Sequence, residues 1–93
     1  MKHSVLMHEK EDDVAVAVVD VQAGTEIGVA TLEGEFVGSV PALEDIPLGH
    51  KIALRDIGKG ENVIKYGRPI GHAVAPIKKG AHVHVHNLKS NRW

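Results

Sequence analysis

The stretch Ile46-Pro47-Leu48-Gly49-His50-Lys51-Ile52 decides the fold. It reads as an apolar residue, two spacers, glycine, two spacers and a second apolar residue. The same frame recurs as Val21-Gln22-Ala23-Gly24-Thr25-Glu26-Ile27, as Ile57-Gly58-Lys59-Gly60-Glu61-Asn62-Val63 and as Ile77-Lys78-Lys79-Gly80-Ala81-His82-Val83. Glycine reaches positive φ at little cost. Each frame therefore predicts a tight turn that launches a strand, its flanking apolar residues anchored in a core. The intervals between frames are unequal, so this is a local device used four times and not a solenoid repeat.

Strands fill the spaces between the turns. Val14 to Val19 is short and apolar, as a buried strand is. Gly28 to Leu32 and Phe36 to Val40 flank Glu33-Gly34-Glu35, a predicted hairpin. Further strands are predicted over Lys51 to Ile57, Asn62 to Tyr66, Ile70 to Val74 and His82 to Leu88. Pro41 to Asp45 predicts a single helical turn. Ten glycines and four prolines in 93 residues suit many short strands. The expectation is one all-β domain over residues 1–93, with a core from about 13 to 88 and short arms at Met1–His3 and Asn91–Trp93.

Composition narrows the function classes. Hydrophobic residues make up 43% and charged residues 25%, ordinary values for a folded domain. The net charge of −1 comes with no basic block, which argues against nucleic acid. There is no cysteine, so a disulfide framework and a thiolate metal site are excluded. No signal peptide pattern and no apolar run near the ~20 residues of a membrane span occurs, and a cytoplasmic protein is expected.

Candidate chemistry centres on Ala81-His82-Val83-His84-Val85-His86-Asn87. On a strand, the period of two would set three imidazoles on one face, about 6.5 Å apart, and send Val83 and Val85 into the core. Neutral imidazoles at i and i+2 can share a metal ion or work as acid and base near neutral pH. Asn87 is a polar residue at an inward position. Lys65-Tyr66-Gly67-Arg68 ends a strand where glycine permits a sharp turn, and Lys65 could hold a carboxylate or sulfonate. His50-Lys51 sits at a turn tip. Arg55 and Asp56 could form a local ion pair. No nucleophile elbow, P-loop or dinucleotide fingerprint is present. A domain of this size has little room for an enclosed pocket, which points to a site shared with a second polypeptide.

Three segments, Ile46 to Leu54, Val63 to Gly67 and Gly80 to Asn87, occur in an order that resembles the SAF domain of the altronate and galactarate dehydratase family. That resemblance implies a β-clip fold related to antifreeze-like domains. It further implies a small subunit of a two-subunit lyase, whose partner is a large catalytic subunit and whose substrate is a small 2-hydroxy acid. The ending Arg92-Trp93 is similar to members that convert (2R)-3-sulfolactate to pyruvate and sulfite; a split sugar-acid dehydratase is the alternative. Such lyases are associated with a divalent metal, iron foremost. The resemblance singles out His84, His86, Lys65 and Tyr66 for catalysis, with His84 and His86 as candidate metal ligands, and His50, Lys51 and Asn87 for substrate binding. A stand-alone metal- or ligand-binding module without catalysis is the reading from another class. An ice-binding surface is disfavoured, because Thr25 and Thr31 are the only threonines.

Overall fold

The computed structural model describes residues 3–7 and 11–90. Met1, His8 and the Asn91–Trp93 arm lie outside the described residues. All four glycine frames close as turns, with the amide of the fourth residue bonded to the carbonyl of the first: Thr25 to Gln22, His50 to Pro47, Glu61 to Gly58 and Ala81 to Lys78. The third-position glycine has φ between 85° and 90° each time. This is the type II turn, which demands positive φ there.

The frames pair two by two. Val21 and Ile46 exchange both backbone hydrogen bonds at 2.9 Å, and Ile57 and Ile77 do the same at 2.7 and 2.8 Å. The glycine amides then reach across. Gly24 donates to Ala42, Gly49 to Ala17, Gly60 to Ala73 and Gly80 to Ala53, all at 2.7–2.8 Å. The repeated unit is thus longer than its seven-residue centre and begins with a buried alanine four residues ahead: Ala17, Ala42, Ala53 and Ala73. The residue between alanine and the first anchor has a role too. Asp20 accepts from the Leu48 amide at 2.8 Å, Asp45 from Ala23 at 2.9 Å and Asp56 from Lys79 at 2.8 Å. These carboxylates satisfy turn amides that the turn itself leaves open. In the fourth unit Pro76 stands at this place.

Nine strands result: β1 (His3–Met7), β2 (Val14–Ala17), β3 (Glu26–Thr31), β4 (Phe36–Pro41), β5 (Lys51–Ala53), β6 (Asn62–Lys65), β7 (Arg68–Ala73), β8 (His82–Val83) and β9 (Leu88–Ser90). A six-stranded sheet runs β4-β3-β1-β2-β5-β8 and a three-stranded sheet β6-β7-β9. β1 pairs parallel with β3; the other pairs are antiparallel. Each frame pair has its own core. Val21, Ile27, Ile46 and Ile52 lie in one cluster with Val5 and Val29, and Ile57, Val63, Ile77 and Val83 lie in the other with Val14 and Ala73.

The all-β expectation holds, with three local corrections. Pro41–Asp45 forms no helical turn, because Ala42 spends its amide on Thr25 and its carbonyl on Gly24, both at 2.8 Å. The strand expected over His82–Leu88 ends at Val83 and turns through Val85, His86 and Asn87; Val85 is therefore 81% exposed and not in the core. Arg55 pairs not with the Asp56 carboxylate but with buried Asp13 at 2.7 Å and with Glu61 at 3.2 Å. The Asp13 carboxylate also accepts from the Ile64 amide at 2.8 Å, which ties β6 to the start of β2. No helix among the described residues is long and apolar enough to cross a membrane.

Gly80 carries a second constraint. A Cβ there would run into the Pro41 carbonyl oxygen, whereas Gly24 has open space around it. Gly24→Ala should then cost about 1–2 kcal/mol from left-handed backbone alone. Gly80→Ala should cost a further 1–3 kcal/mol or so from the clash. Urea denaturation of both variants checks the difference; equal costs would contradict the packing described.

Candidate functional site

Two turns from different pairs build the site. The second frame ends its turn on His50 and enters β5, and the fourth enters β8 at His82. β5 and β8 pair with Lys51 opposite Val83 and Ile52 opposite His82. The two pairs are stitched together by Leu43 donating to Gly80 at 2.9 Å and Ala53 to Ala81 at 3.0 Å. This lays the His50 ring against the β8 end. His50 Nδ1 and His82 Nε2 share one hydrogen at 2.8 Å. The His84 ring stacks on His50 with centroids 4.3 Å apart. One nitrogen from each of His50, His82 and His84 lies within 4.8 Å of the others.

His86 is beside this trio and not in it. Its ring tilts against His82 at 5.4 Å. The cause is the break in β8, which takes His86 off the strand face that an unbroken strand would have given it. Asn87 makes that break. Its side-chain nitrogen donates to the His82 carbonyl at 2.8 Å, its oxygen accepts from the His84 amide at 3.0 Å, and the residue is buried. Asn87, expected to touch substrate, thus spends both ends of its amide on positioning two histidines. Glu44 adds a second brace, accepting from the His82 amide at 3.0 Å. Nothing in the sequence pattern marks Glu44, and the family resemblance singles out His84 and His86 but not His82. Only the β5–β8 register reveals that His50 and His82 meet.

The electrostatics favour neutral imidazoles. The His82 pKa is pushed below the ordinary histidine value, first by burial and then by His50, His86 and His84, with Glu44 opposing. His84 is pushed the same way by desolvation, then by His50, Lys51 and His86. Their lone pairs are thereby offered near neutral pH, as a base or a metal ligand requires.

Lys51 stands next to these rings, and Lys65 and Tyr66 pair with one another at the end of β6. Lys51 follows His50 on β5, and its charge is felt by His84 and coupled to Lys65 and Tyr66. Tyr66 and Gly67 form the two-residue hairpin between β6 and β7, with φ of 59° and 70°. Both positive values identify a type I′ turn. A tyrosine in left-handed backbone is uncommon and here holds its hydroxyl 2.8 Å from the Lys65 ammonium. The site lies on the surface: His84, His86 and Tyr66 are exposed. A depression of about 650 Å³ lies elsewhere, between β4 and the Asp13–Arg55 pair, and none of the described histidines lines it.

The trio fits a divalent cation. Ligand bonds of about 2.0–2.1 Å put neighbouring nitrogens about 3.0–3.4 Å apart, so the 2.8 Å His50–His82 contact must open slightly and His84, within 4.8 Å of both, must close on the pair. Imidazole donors suit zinc, iron, copper or nickel and not magnesium or calcium.

Comparison with known proteins adds context to this geometry. A family model described as the altronate/galactarate dehydratase SAF domain matches residues 3–91. Altronate dehydratase of Escherichia coli is 50% identical over 80 residues, which cover 86% of this chain and 15% of that protein. The alpha subunit of (2R)-sulfolactate sulfo-lyase from Chromohalobacter salexigens is 39% identical over 94 residues, covering 100% of both chains. Galactarate dehydratase (L-threo-forming) of Escherichia coli is 39% identical over 72 residues, 75% of this chain and 12% of its own. The chain therefore spans a small fraction of the dehydratases and the whole of the sulfo-lyase subunit.

Two outcomes follow for the isolated chain. In calorimetric titration with cobalt(II), His50→Gln or His82→Gln should weaken binding at least about tenfold, while His86→Gln stays near wild type; an equal loss in all three would refute the trio. The second concerns pH. Folded His82 and His84 have pKa values below the ordinary 6.5. The unfolded chain then takes up protons first as pH falls. The stability these groups contribute is full above pH 6.5 and is lost below it. The urea midpoint should drop between about pH 8 and pH 5 more steeply in wild type than in His82→Gln.

Proposed function

This chain belongs to the SAF-domain family of altronate and galactarate dehydratases, and on that premise we propose that it is the small subunit of a two-subunit lyase. The reaction is β-elimination on a 2-hydroxy acid, (2R)-3-sulfolactate first among the substrates. The observation that carries this reading is the match with a sulfo-lyase alpha subunit across the full length of both chains. The open, surface position of the histidines supports a partner that completes the site.

The chemistry balances as follows. A base removes the C2 proton, the C3–sulfur bond breaks with its electron pair leaving on sulfite, and the C2=C3 enol takes a proton at C3 while its C2 hydroxyl gives one up, yielding pyruvate. His84, exposed and held neutral beside Lys51, is the base. His50 and His82 would hold a divalent metal, iron foremost, with further ligands from the partner subunit, and the metal would stabilise charge developing on the substrate oxygens. Lys65 and Tyr66 sit together at 2.8 Å, where a phenol hydroxyl and an ammonium can assist the departing group. Asn87 and Glu44 hold the β8 end in place. The large catalytic subunit covers exposed Tyr66 and Val85 and excludes water, and both subunits work in the cytoplasm.

A second reading keeps the same groups but expels water from C3 of a sugar acid. The 50% identity with altronate dehydratase favours it. Co-expression with the large subunit, followed by assay on sulfolactate and altronate, separates the two.

The purified chain alone should turn over neither substrate. In the assembled enzyme His84→Gln should lower kcat at least about 100-fold, the scale of an acid–base group, with circular dichroism unchanged. Wild-type turnover by that variant would remove His84 from the mechanism, and turnover by the chain alone would refute a shared site.

A further inference from the structure

Tyr66 is the one non-glycine residue with positive φ among the described residues. It closes the hairpin between β6 and β7 together with Gly67, at φ of 59° and 70°, while Lys65 pairs with Arg68. Glycine enters such a turn freely, but tyrosine carries a Cβ and enters it at a cost. A residue in left-handed backbone persists only where its surroundings over-determine it. The sign of φ also decides where the phenol goes. Here the hydroxyl accepts from the Lys65 ammonium at 2.8 Å, and the ring centre lies 4.1 Å from Nζ.

Two neighbouring acids ahead of β2 brace this hairpin. Asp13 grips the strand: its amide donates to the Ile64 carbonyl at 2.8 Å, and its carboxylate accepts from the Ile64 amide at 2.8 Å. Asp12 grips the turn: its carboxylate accepts from the Gly67 amide at 3.0 Å. Both acids are buried, at 5% and 6% exposure, where a hydrogen bond is electrostatically stronger than in water. The two grips have different consequences. Without Asp12, β6 stays anchored by Asp13, but the turn is free to relax to negative φ at Tyr66 and to swing the phenol off the ammonium.

We propose that Asp12 is a positioning residue for the Lys65–Tyr66 pair: by accepting from the Gly67 amide it locks the turn in left-handed backbone and so holds the phenol hydroxyl on the ammonium. The consequence for catalysis rests on the lyase reading; the locking of the turn does not.

The first test uses the full 93-residue chain, labelled with 15N and 13C, and no turnover. A trans-hydrogen-bond coupling should join the Gly67 amide nitrogen to the Asp12 carboxyl carbon, and the φ-dependent couplings of Tyr66 should report a positive angle. Asp12→Ala should speed hydrogen exchange at the Gly67 amide about tenfold or more, the scale of one such bond, and turn Tyr66 to negative φ. The Ile64 amide, held by Asp13, should keep its protection. Asp12→Leu has a similar shape without an acceptor and gives the same reading if Asp12→Ala fails to fold. Asp12→Asn keeps an oxygen acceptor and should keep the positive φ. Unchanged Tyr66 couplings in the variants without an acceptor, or no Gly67–Asp12 coupling in wild type, would overturn the proposal. The second test is a double-mutant cycle in the assembled enzyme. Tyr66→Phe and Asp12→Ala should each lower kcat at least about tenfold with little change in KM. In the Tyr66→Phe background, Asp12→Ala should cost less than about a further twofold. Losses that multiply would show that Asp12 does not act through the phenol. An assembled enzyme that turns over neither sulfolactate nor altronate refutes the lyase reading alone, and the turn couplings still decide the role of Asp12.

Discussion

The glycine amide that reaches across to a partner alanine carbonyl is the bond on which the rest of the structure depends. It occurs four times and is reciprocal within each pair, Gly24–Ala42 with Gly49–Ala17 and Gly60–Ala73 with Gly80–Ala53. A type II turn leaves its glycine amide pointing away from the turn, and here each such donor finds its acceptor in the alanine ahead of the other turn of the pair. The two turns therefore complete one another, and each pair closes around its own aliphatic cluster. In a domain with few aromatic side chains, this mutual closure replaces the bulk that a larger core would provide.

The same constraint makes the site. Gly80 is pressed against the end of β4, where its carbonyl accepts from Leu43 and its φ of 90° admits no Cβ. That contact joins one pair to the other and sets the β5–β8 register, which brings His50 to His82 and Lys51 to the neighbourhood of His84. Asn87 then bends the chain back before the alternating histidines can run on as a strand. The outcome is a compact group of imidazoles with Lys51 beside them on an open surface.

Much of this was legible in the residues. The four glycine frames predict their turns because positive φ is a local demand that glycine answers. The hairpin at Glu33–Glu35 and the sharp turn at Gly67 were legible for the same reason. The pairing of frames was not, since the alanine and aspartate that form it act only on a distant partner. Strand β1 escaped because His3–Met7 has no period-two signal and gains its place through parallel pairing with β3, a long-range contact. His82–Leu88 misled for the opposite reason. Its alternation imitates a strand, but a buried asparagine that bonds the backbone three and five residues behind it, at His84 and His82, outweighs periodicity. The strand end at Lys65 was legible, but its burial was not, because a charged residue beside a turn carries no local signal of burial.

The convergence of His50 and His82 follows from every step of this account, from turn closure through pairing to register. A trans-hydrogen-bond 15N–15N scalar coupling between His50 Nδ1 and His82 Nε2 measures it directly in the labelled chain. The account predicts that coupling at neutral pH, and its loss when Gly80→Ala disturbs the junction of the two pairs. Absence of the coupling in the folded chain at neutral pH would contradict it.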